Sequence, residues 1–365
     1  METRRAGWRP PHCPNPNCHY HTGFSVHWPF KRKGYFTRAC TPHRIQRFTC
    51  LACGRHFSSQ TFSVTYWQKR PGLIVPIASS VVGCMANRQM ARALGCAHST
   101  VTHQVARLGR HCLLWQAREL RRLTIEGDVV VDGFEGFEWS QYHPFHHNMA
   151  VDVNSGYFLF HTDSPLRRKG RMTETQKRRR CEIEAQLGRP DPQAVRHGMR
   201  HLLETVTKNV DTLTVRSDDH KAYPPAIRSL RCKVHHLVTS SKAHRDRRNP
   251  LWEINLLDLM TRHSLAIHKR ETIAWAKRRQ AAIEKVAILQ AWRNYCKRRW
   301  ENGPAESSAM IKGLADRILT VKELLARRLF RSHIHLPTPW DDYYDRLVET
   351  PALGVNRMHT LTYAY

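Results

Sequence analysis

The 365-residue chain carries 59 lysines and arginines against 30 acidic residues, a net charge of +29, with 41% hydrophobic content. That apolar fraction is ordinary for a globular chain that buries a real core, and the length allows two or three domains. No run of about 18 apolar residues is present, and the N-terminus "METRRAGWRPPHCPNPNC" lacks an apolar signal-peptide core, so the expected location is the cytoplasm, with no membrane partner. The positive charge is spread along the chain rather than confined to one tail, which points to a polyanion contacted by several segments, nucleic acid above all.

Eleven cysteines are present, and the first five, Cys13, Cys18, Cys40, Cys50 and Cys53, fall near the N-terminus. Clustering of this kind suggests metal rather than disulfides. "HCPNPNCHYH" and "RFTCLACGRHF" each hold a pair, and two such knuckles can close four thiolates, Cys13, Cys18, Cys50 and Cys53, round one structural Zn²⁺. Gly54 suits the second knuckle turn, and Pro14 and Pro16 stiffen the first. Four buried free thiols are the competing reading, and Cys40 with His43 in "CTPH" could supply a ligand or a second site; the outer four are preferred. Residues 1–70 are therefore read as a zinc ribbon. Its closed site has no open position for catalysis, so its expected task is to hold a small module against nucleic acid.

Residues 71–123 are read as a helix-turn-helix. "NRQMARALGCAHSTVTHQVARLGRHC" divides into two short amphipathic helices broken at Gly95 and Cys96, with Ala91 at the helix crossing and Val101 in the shared core. Ser99 is expected to cap the second helix, and Val101, Val105 and Leu108 give it an apolar stripe. Ser99, Thr100, Thr102, His103 and Arg107 are then the candidate DNA-binding residues, because residues near the start of such a helix reach base edges in the major groove. An ordinary helical hairpin is the alternative.

After a basic helical connector, "WQARELRRL", "VVVD" reads as a buried strand ending in Asp132. "NMAVDVNSGYFLFHTD" reads as a hairpin turning at Asn154, Ser155 and Gly156, so three antiparallel strands are expected. The stretch 167–192, basic and bounded by Pro and Gly, reads as an inserted arm or loop, and the residues after Asp191 as a helix with Leu202, Leu203 and Val206 on one face. "DTLTVRSDDHKAY" is a short strand ending at Asp218, "RCKVHHLVTSS" a further strand, and "NPLWEINLLDLMTRHSLAIHKRETIAWAKRRQ" a long helical run. Carboxylates at the ends of two strands that could be neighbours, in a chain built for nucleic acid, suggest a magnesium site.

In the order and separation of "CPNPNC", "CLACGRHFSSQTFS", "VVVDGFEGFEWSQYHPFHHNMAV", "VRSDDHKAYP" and the "NPLWEINLLDLM" run, the chain resembles bacterial insertion-sequence transposases of the DDE type. The resemblance implies an α/β, ribonuclease-H-like mixed sheet with flanking helices over residues 124–300, preceded by the ribbon and the helix-turn-helix. It implies that Asp132 and Asp218 are the first two metal-binding carboxylates, with Asp219 a neighbour. The third acid is either Glu253 or Asp258, the latter resembling the family in having Asn255 three residues before it. On a helix Asn255 and Asp258 share a face, whereas Glu253 and Asp258 diverge by about 140° and cannot easily serve one site, so Asp258 is preferred. The activity implied is Mg²⁺-dependent cleavage and strand transfer at the ends of an insertion sequence, with two ions, Mg²⁺ or Mn²⁺. Element ends and target DNA are the implied partners, with a homo-oligomer on DNA and a nucleoid location. The rivals are a non-catalytic regulator that keeps the architecture and a structure-selective nuclease of the same fold.

Glu271 is expected on another face of the same long helix, paired with a basic residue. His143, His146 and His147 are expected to contact phosphate or pack rather than bind Mg²⁺, and Trp275, Trp292 and Trp300 to pack in the core. "TQKRRRCEIEAQ" is either a solvated loop or a track for the DNA backbone. Residues 301–365 are read as one helix and an extended end.

Overall fold

The computed structural model describes residues 8–22 and 26–358. Strands β1 (Phe30–Thr37), β2 (Arg44–Cys50) and β3 (His56–Ser58) form a small antiparallel sheet in that order. β1, "FKRKGYFT", buries none of its side chains, whereas β2 turns Ile45, Phe48 and Cys50 inward. Phe48 stacks on Phe57 at 5.4 Å, and Trp28, Phe62 and Phe330 complete a small apolar cluster round the cysteines.

Helices α1 (Ile74–Val82), α2 (Asn87–Ala93) and α3 (His98–Leu120) follow. The break between α2 and α3 contains Gly95 with φ of +54°, a conformation open to glycine at little cost, and Ala91 and Val101 are buried as the sequence implied. Two details differ. The second helix is not short: α3 runs on through "WQAREL", because Leu113, Leu114, Trp115 and Ala117 continue its buried stripe. Ser99 is not its cap. Ala97, held in an extended conformation with ψ of 144°, occupies that position, which leaves Ser99 exposed within the first turn.

The larger sheet contains β4 (Val129–Phe137), β5 (Pro144–Asp152), β6 (Phe158–Pro165), β7 (Thr212–Ser217) and β8 (Lys233–Val238), in the order β6-β5-β4-β7-β8. β4, β5 and β6 pair antiparallel, as expected, while β7 runs parallel to both β4 and β8, making the sheet mixed. Between β6 and β7 lie α4 (Glu174–Leu187) and α5 (Ala194–Val206); α6 (Tyr223–Arg228) precedes β8; α7 (Trp252–Ser264) and α8 (Arg279–Tyr295) come after it.

Helices cover both faces. On one, Asn148 donates to the hydroxyls of Thr162 and Ser164, which in turn donate to the carbonyls of Gly198 and Ala194 in α5. The neighbouring His147 points the other way, against Phe134 and His268, and the Arg262 guanidinium of α7 lies 4.9 Å from the Phe134 ring. Burial on both faces is why "VVV" reads as an unbroken apolar run instead of alternating.

Three expectations fail here. The stretch 167–192 is not simply an arm or loop, since Thr173 and Gln176 form a capping box that starts α4. The long helical run breaks at Leu265, whose backbone is extended, and resumes only at Arg279, with Glu271 in between at φ of +53°. Leu265, Ala266 and Ile267 are each buried, so tertiary packing overrides a helical pattern that carries no Pro or Gly to mark the stop. The C-terminal segment is not one helix and an extended end. It forms α9 (Ser308–Ile311), α10 (Val321–Ala326) and α11 (Trp340–Asp345), and Trp340 is fully buried, stacked on Phe160 at 4.3 Å. A single apolar cluster runs from Val64 through the helices and the sheet to Val348. Among the described residues no helix is long and apolar enough to cross a membrane.

β4 and β5 approach so closely beside Asp132 that a Cβ on Gly133 would lie 1.9 Å from the His147 carbonyl oxygen. Gly133→Ala is therefore expected to destabilise the fold by at least about 2 kcal/mol, since main chain and not a flexible side chain must move. Chemical denaturation of the two proteins measures it.

Candidate metal centres

The four outer cysteines meet. Cys13 and Cys53 place their Sγ atoms 3.6 Å apart, Cys18 and Cys50 theirs 3.8 Å apart, and all four lie within 4.8 Å of one another. A tetrahedron with Zn–S bonds of about 2.3 Å has edges of about 3.8 Å, so the spacing fits a metal such as zinc. Each knuckle is a turn closed by main chain: Cys18 N–H donates to Asn15, and Gly54 N–H, at φ of +73°, donates to Cys50. Burial pushes the Cys13 and Cys18 thiols up, so a cation is what would hold them as thiolates. Cys40 and His43 do not join this set. The Cys40 thiol faces the Gln68 carbonyl, and the His43 Nδ1 lies 3.3 Å from the Arg38 carbonyl.

Strand register brings two of the acids near one another. β4 and β7 pair Val129 with Val215 and Val130 with Arg216; continuing that register past the strand end brings Asp132 level with Asp218. Asp132 points to the same face as Phe134, the face covered by α7, which carries Asp258. Burial, reinforced by Asp218, raises the Asp132 carboxyl to about 6. Burial, reinforced by Asp132, raises that of Asp258 to about 8, and its Oδ1 is buried without a hydrogen-bond partner. A buried carboxyl oxygen without a partner beside a second acid is costly in the absence of a compensating charge or donor. Among the described residues only the cysteine set and a histidine set bring three or more ligand atoms within 4.8 Å, so the three aspartates form a more open arrangement.

Their neighbours are equally definite. The Tyr223 hydroxyl donates to Asp132 Oδ1 at 3.2 Å, and the main chain of His220 donates to Asp218 Oδ1 at 3.0 Å. Asp219 is exposed and turned away, its carboxyl held low by hydrogen bonds from Ser241. Glu253 accepts from Arg299 at 2.5 Å in a largely buried pair, and so is neutralised elsewhere. Glu271, exposed and off the helix, has no ion pair among the described residues. Tyr223 and Gly133 were not singled out from sequence; the only signal was their place beside the acids in "SDDHKAYP" and "VVVDGF".

At the start of α3, Ser99 and His103 are exposed and Thr100 and Thr102 half-buried. Thr102 is engaged locally, its hydroxyl donating to the His98 carbonyl. Arg107 departs from the expected DNA-facing role: its guanidinium donates to the carbonyls of Val64 and Tyr66, bracing α3 against the segment that follows β3. His146 and His147 are buried, and His147 is packed among aromatic rings. Trp275 lies against Phe137, Trp292 packs against the core, and Trp300 is partly exposed beneath Arg299. On α4, Lys177, Arg179 and Arg180 pair with Glu174, Glu182 and Glu184, which uses up much of that basic run.

No protein-family model matches the chain, and no curated protein matches it significantly.

Two outcomes are expected. Cys50→Ser lowers bound zinc by one equivalent per chain, measured by elemental analysis of the purified protein. The second concerns pH. Because Asp132 and Asp258 titrate above their ordinary 3.8, the folded state holds more protons than the unfolded one. Their contribution is complete below about pH 4 and is lost as pH rises through about 6 and then 8. In magnesium-free buffer Asp258→Asn is therefore more stable than the parent at pH 8 by about 1 kcal/mol or more, and the gain vanishes near pH 4.

Proposed function

We propose that this protein is a DNA transposase of the DDE type, which binds the ends of an insertion sequence and catalyses Mg²⁺-dependent strand cleavage and strand transfer. The observation that carries this reading is the convergence of Asp132, Asp218 and Asp258 from a strand, a strand end and a helix, with Asp132 driven up by burial and by Asp218, and Asp258 by burial and by Asp132. Its support in the fold is the mixed sheet with helices on both faces, with Asp132 inside β4 and not at its end as the sequence implied, and Asp218 just past the end of the adjacent parallel β7, which suits a ribonuclease-H-like core.

Asp132, Asp218 and Asp258 would hold two Mg²⁺, or Mn²⁺, which polarise the attacking oxygen and stabilise the leaving oxygen at phosphorus. Tyr223 orients Asp132 by donating to Oδ1, and the His220 main chain does the same for Asp218, so both carboxylates keep one geometry while their other oxygens remain available. Arg262 and Arg245 add positive field at Asp258. The net charge of +29 gathers double-stranded DNA, and the exposed Lys31, Arg32 and Lys33 of β1 extend that surface over the ribbon. Ser99, Thr100 and His103 are the residues of α3 best placed to reach a groove, while Arg107 supports the helix from behind. Assembly as a homo-oligomer on paired element ends at the nucleoid belongs to the same reading.

Asp132→Asn and Asp218→Asn are each expected to keep DNA binding within a few fold while lowering cleavage of element ends by more than about 100-fold, the scale on which one electrostatic stabiliser acts. Gel shift and a Mg²⁺-dependent cleavage assay on inverted repeats read the two separately. Full strand transfer by either variant sinks the proposal. Binding by the parent without any cleavage assigns it to a regulator, and cleavage without attack on a second duplex to a nuclease.

A further inference from the structure

His12, His21 and His333 form a second cluster of metal-binding atoms beside the four cysteines. One ring nitrogen from each lies within 4.8 Å of the others, and His12 and His21 are almost wholly buried. The rings of His12 and His333 stack at 3.6 Å, and His21 stands edge-on to both, at 5.3 Å from His12 and 5.0 Å from His333.

The hydrogen bonds fix two tautomers. The Nδ1 atoms of His12 and His21 lie 3.0 Å and 2.7 Å from the carbonyl oxygen of Cys13. A carbonyl only accepts, so each Nδ1 carries the proton and each Nε2 keeps its lone pair. An imidazole that donates one N–H to a backbone carbonyl and offers the other nitrogen is the arrangement metal-binding histidines adopt, because the carbonyl fixes the ring and raises its basicity. The third member supplies the complementary signal: Nε2 of His333 is buried with no hydrogen-bond partner. The His333 ring is half-buried, yet a buried, orphaned ring nitrogen on it costs free energy unless something takes its lone pair.

We propose that His12, His21 and His333 bind a second Zn²⁺, separate from the ion of the four cysteines, with an open fourth position. Three neutral nitrogens suit zinc, and the rings of Phe62 and Phe330, 5.0 and 5.3 Å from His12, wall the site with apolar surface. Ser332 competes for it, since its hydroxyl lies 2.5 Å from His21 Nε2 and must rotate away when the ion binds. The two sites share one residue, because Cys13 offers its Sγ to the cysteine set and its carbonyl to both histidines. The ion would also staple the C-terminal segment to the ribbon. Phe330 already lies in the ribbon's apolar cluster, and the Arg328 guanidinium lies 4.1 Å from the Trp8 ring and donates to the Ser59 carbonyl.

The test is metal content of the full chain by native mass spectrometry, together with the visible spectrum after exchange with Co²⁺. The parent is expected to hold two ions. His333→Ala holds one and keeps the thiolate-to-cobalt charge-transfer band, while the double variant Cys50→Ser, Cys53→Ser holds one and lacks a tetrathiolate band. Ser332→Ala keeps two ions and binds the weaker one several-fold more tightly, a gain that a misfolded protein would not give. If His333→Ala holds as many ions as the parent, the site does not exist, and unchanged zinc affinity in Ser332→Ala overturns it equally. Should the cysteine reading alone fail, the parent holds one ion that His333→Ala removes, with no thiolate band before or after.

Discussion

Strand β4 is hydrogen-bonded on both edges, antiparallel to β5 and parallel to β7, and the larger half of the molecule is arranged around that constraint. The antiparallel partner comes directly from a hairpin-like turn. The parallel partner requires the chain to cross over, and the crossover carries α4 and α5 before returning to β7. Parallel register is what sets Asp132 beside Asp218, and the face on which Asp132 emerges is the one α7 covers, so Asp258 is delivered by packing and not by neighbourhood in the chain. Gly133 belongs to the same constraint, because β5 could not come so near to a side chain there.

The chain solves an electrostatic problem in opposite directions at two places. Its surface is strongly basic, yet it buries acids close enough together that Asp258 is pushed up to about 8. Left alone, such a group is a cost to folding that grows with pH. Other buried carboxyls are neutralised by a protein cation: Glu253 by Arg299, Asp152 by Lys312, Glu284 by Arg346. The aspartates of the cluster have no such direct ion pair among the described residues, a contrast that fits the proposed cation site.

Much of this was legible in the residues. Paired cysteine spacing identified the four thiols that meet, apolar alternation and runs identified the strands, and a glycine between two amphipathic stretches located the turn before α3. Where expectation and structure part, the local pattern permitted two outcomes. Ser99 is as good a capping residue as any, but the backbone turns helical earlier. "LAIHKRETIAW" has apolar residues at helical spacing, and only the demand to bury Leu265, Ala266 and Ile267 individually unwinds it. Arg107 looked outward on a helical wheel, yet two carbonyls from a segment distant in sequence claim it.

By itself the sequence determined the chemistry available: a basic chain, four thiols in two knuckles, and acids directly following apolar strand residues, because residue type and short-range periodicity are local properties, although β4 runs on past Asp132 to Phe137. Tertiary structure decided which of these groups share a site. Asp258 rather than Glu253 faces Asp132, and His333 reaches His12 and His21 across most of the chain, because both depend on how helices and the C-terminal segment pack, and packing joins residues that sequence separation keeps apart.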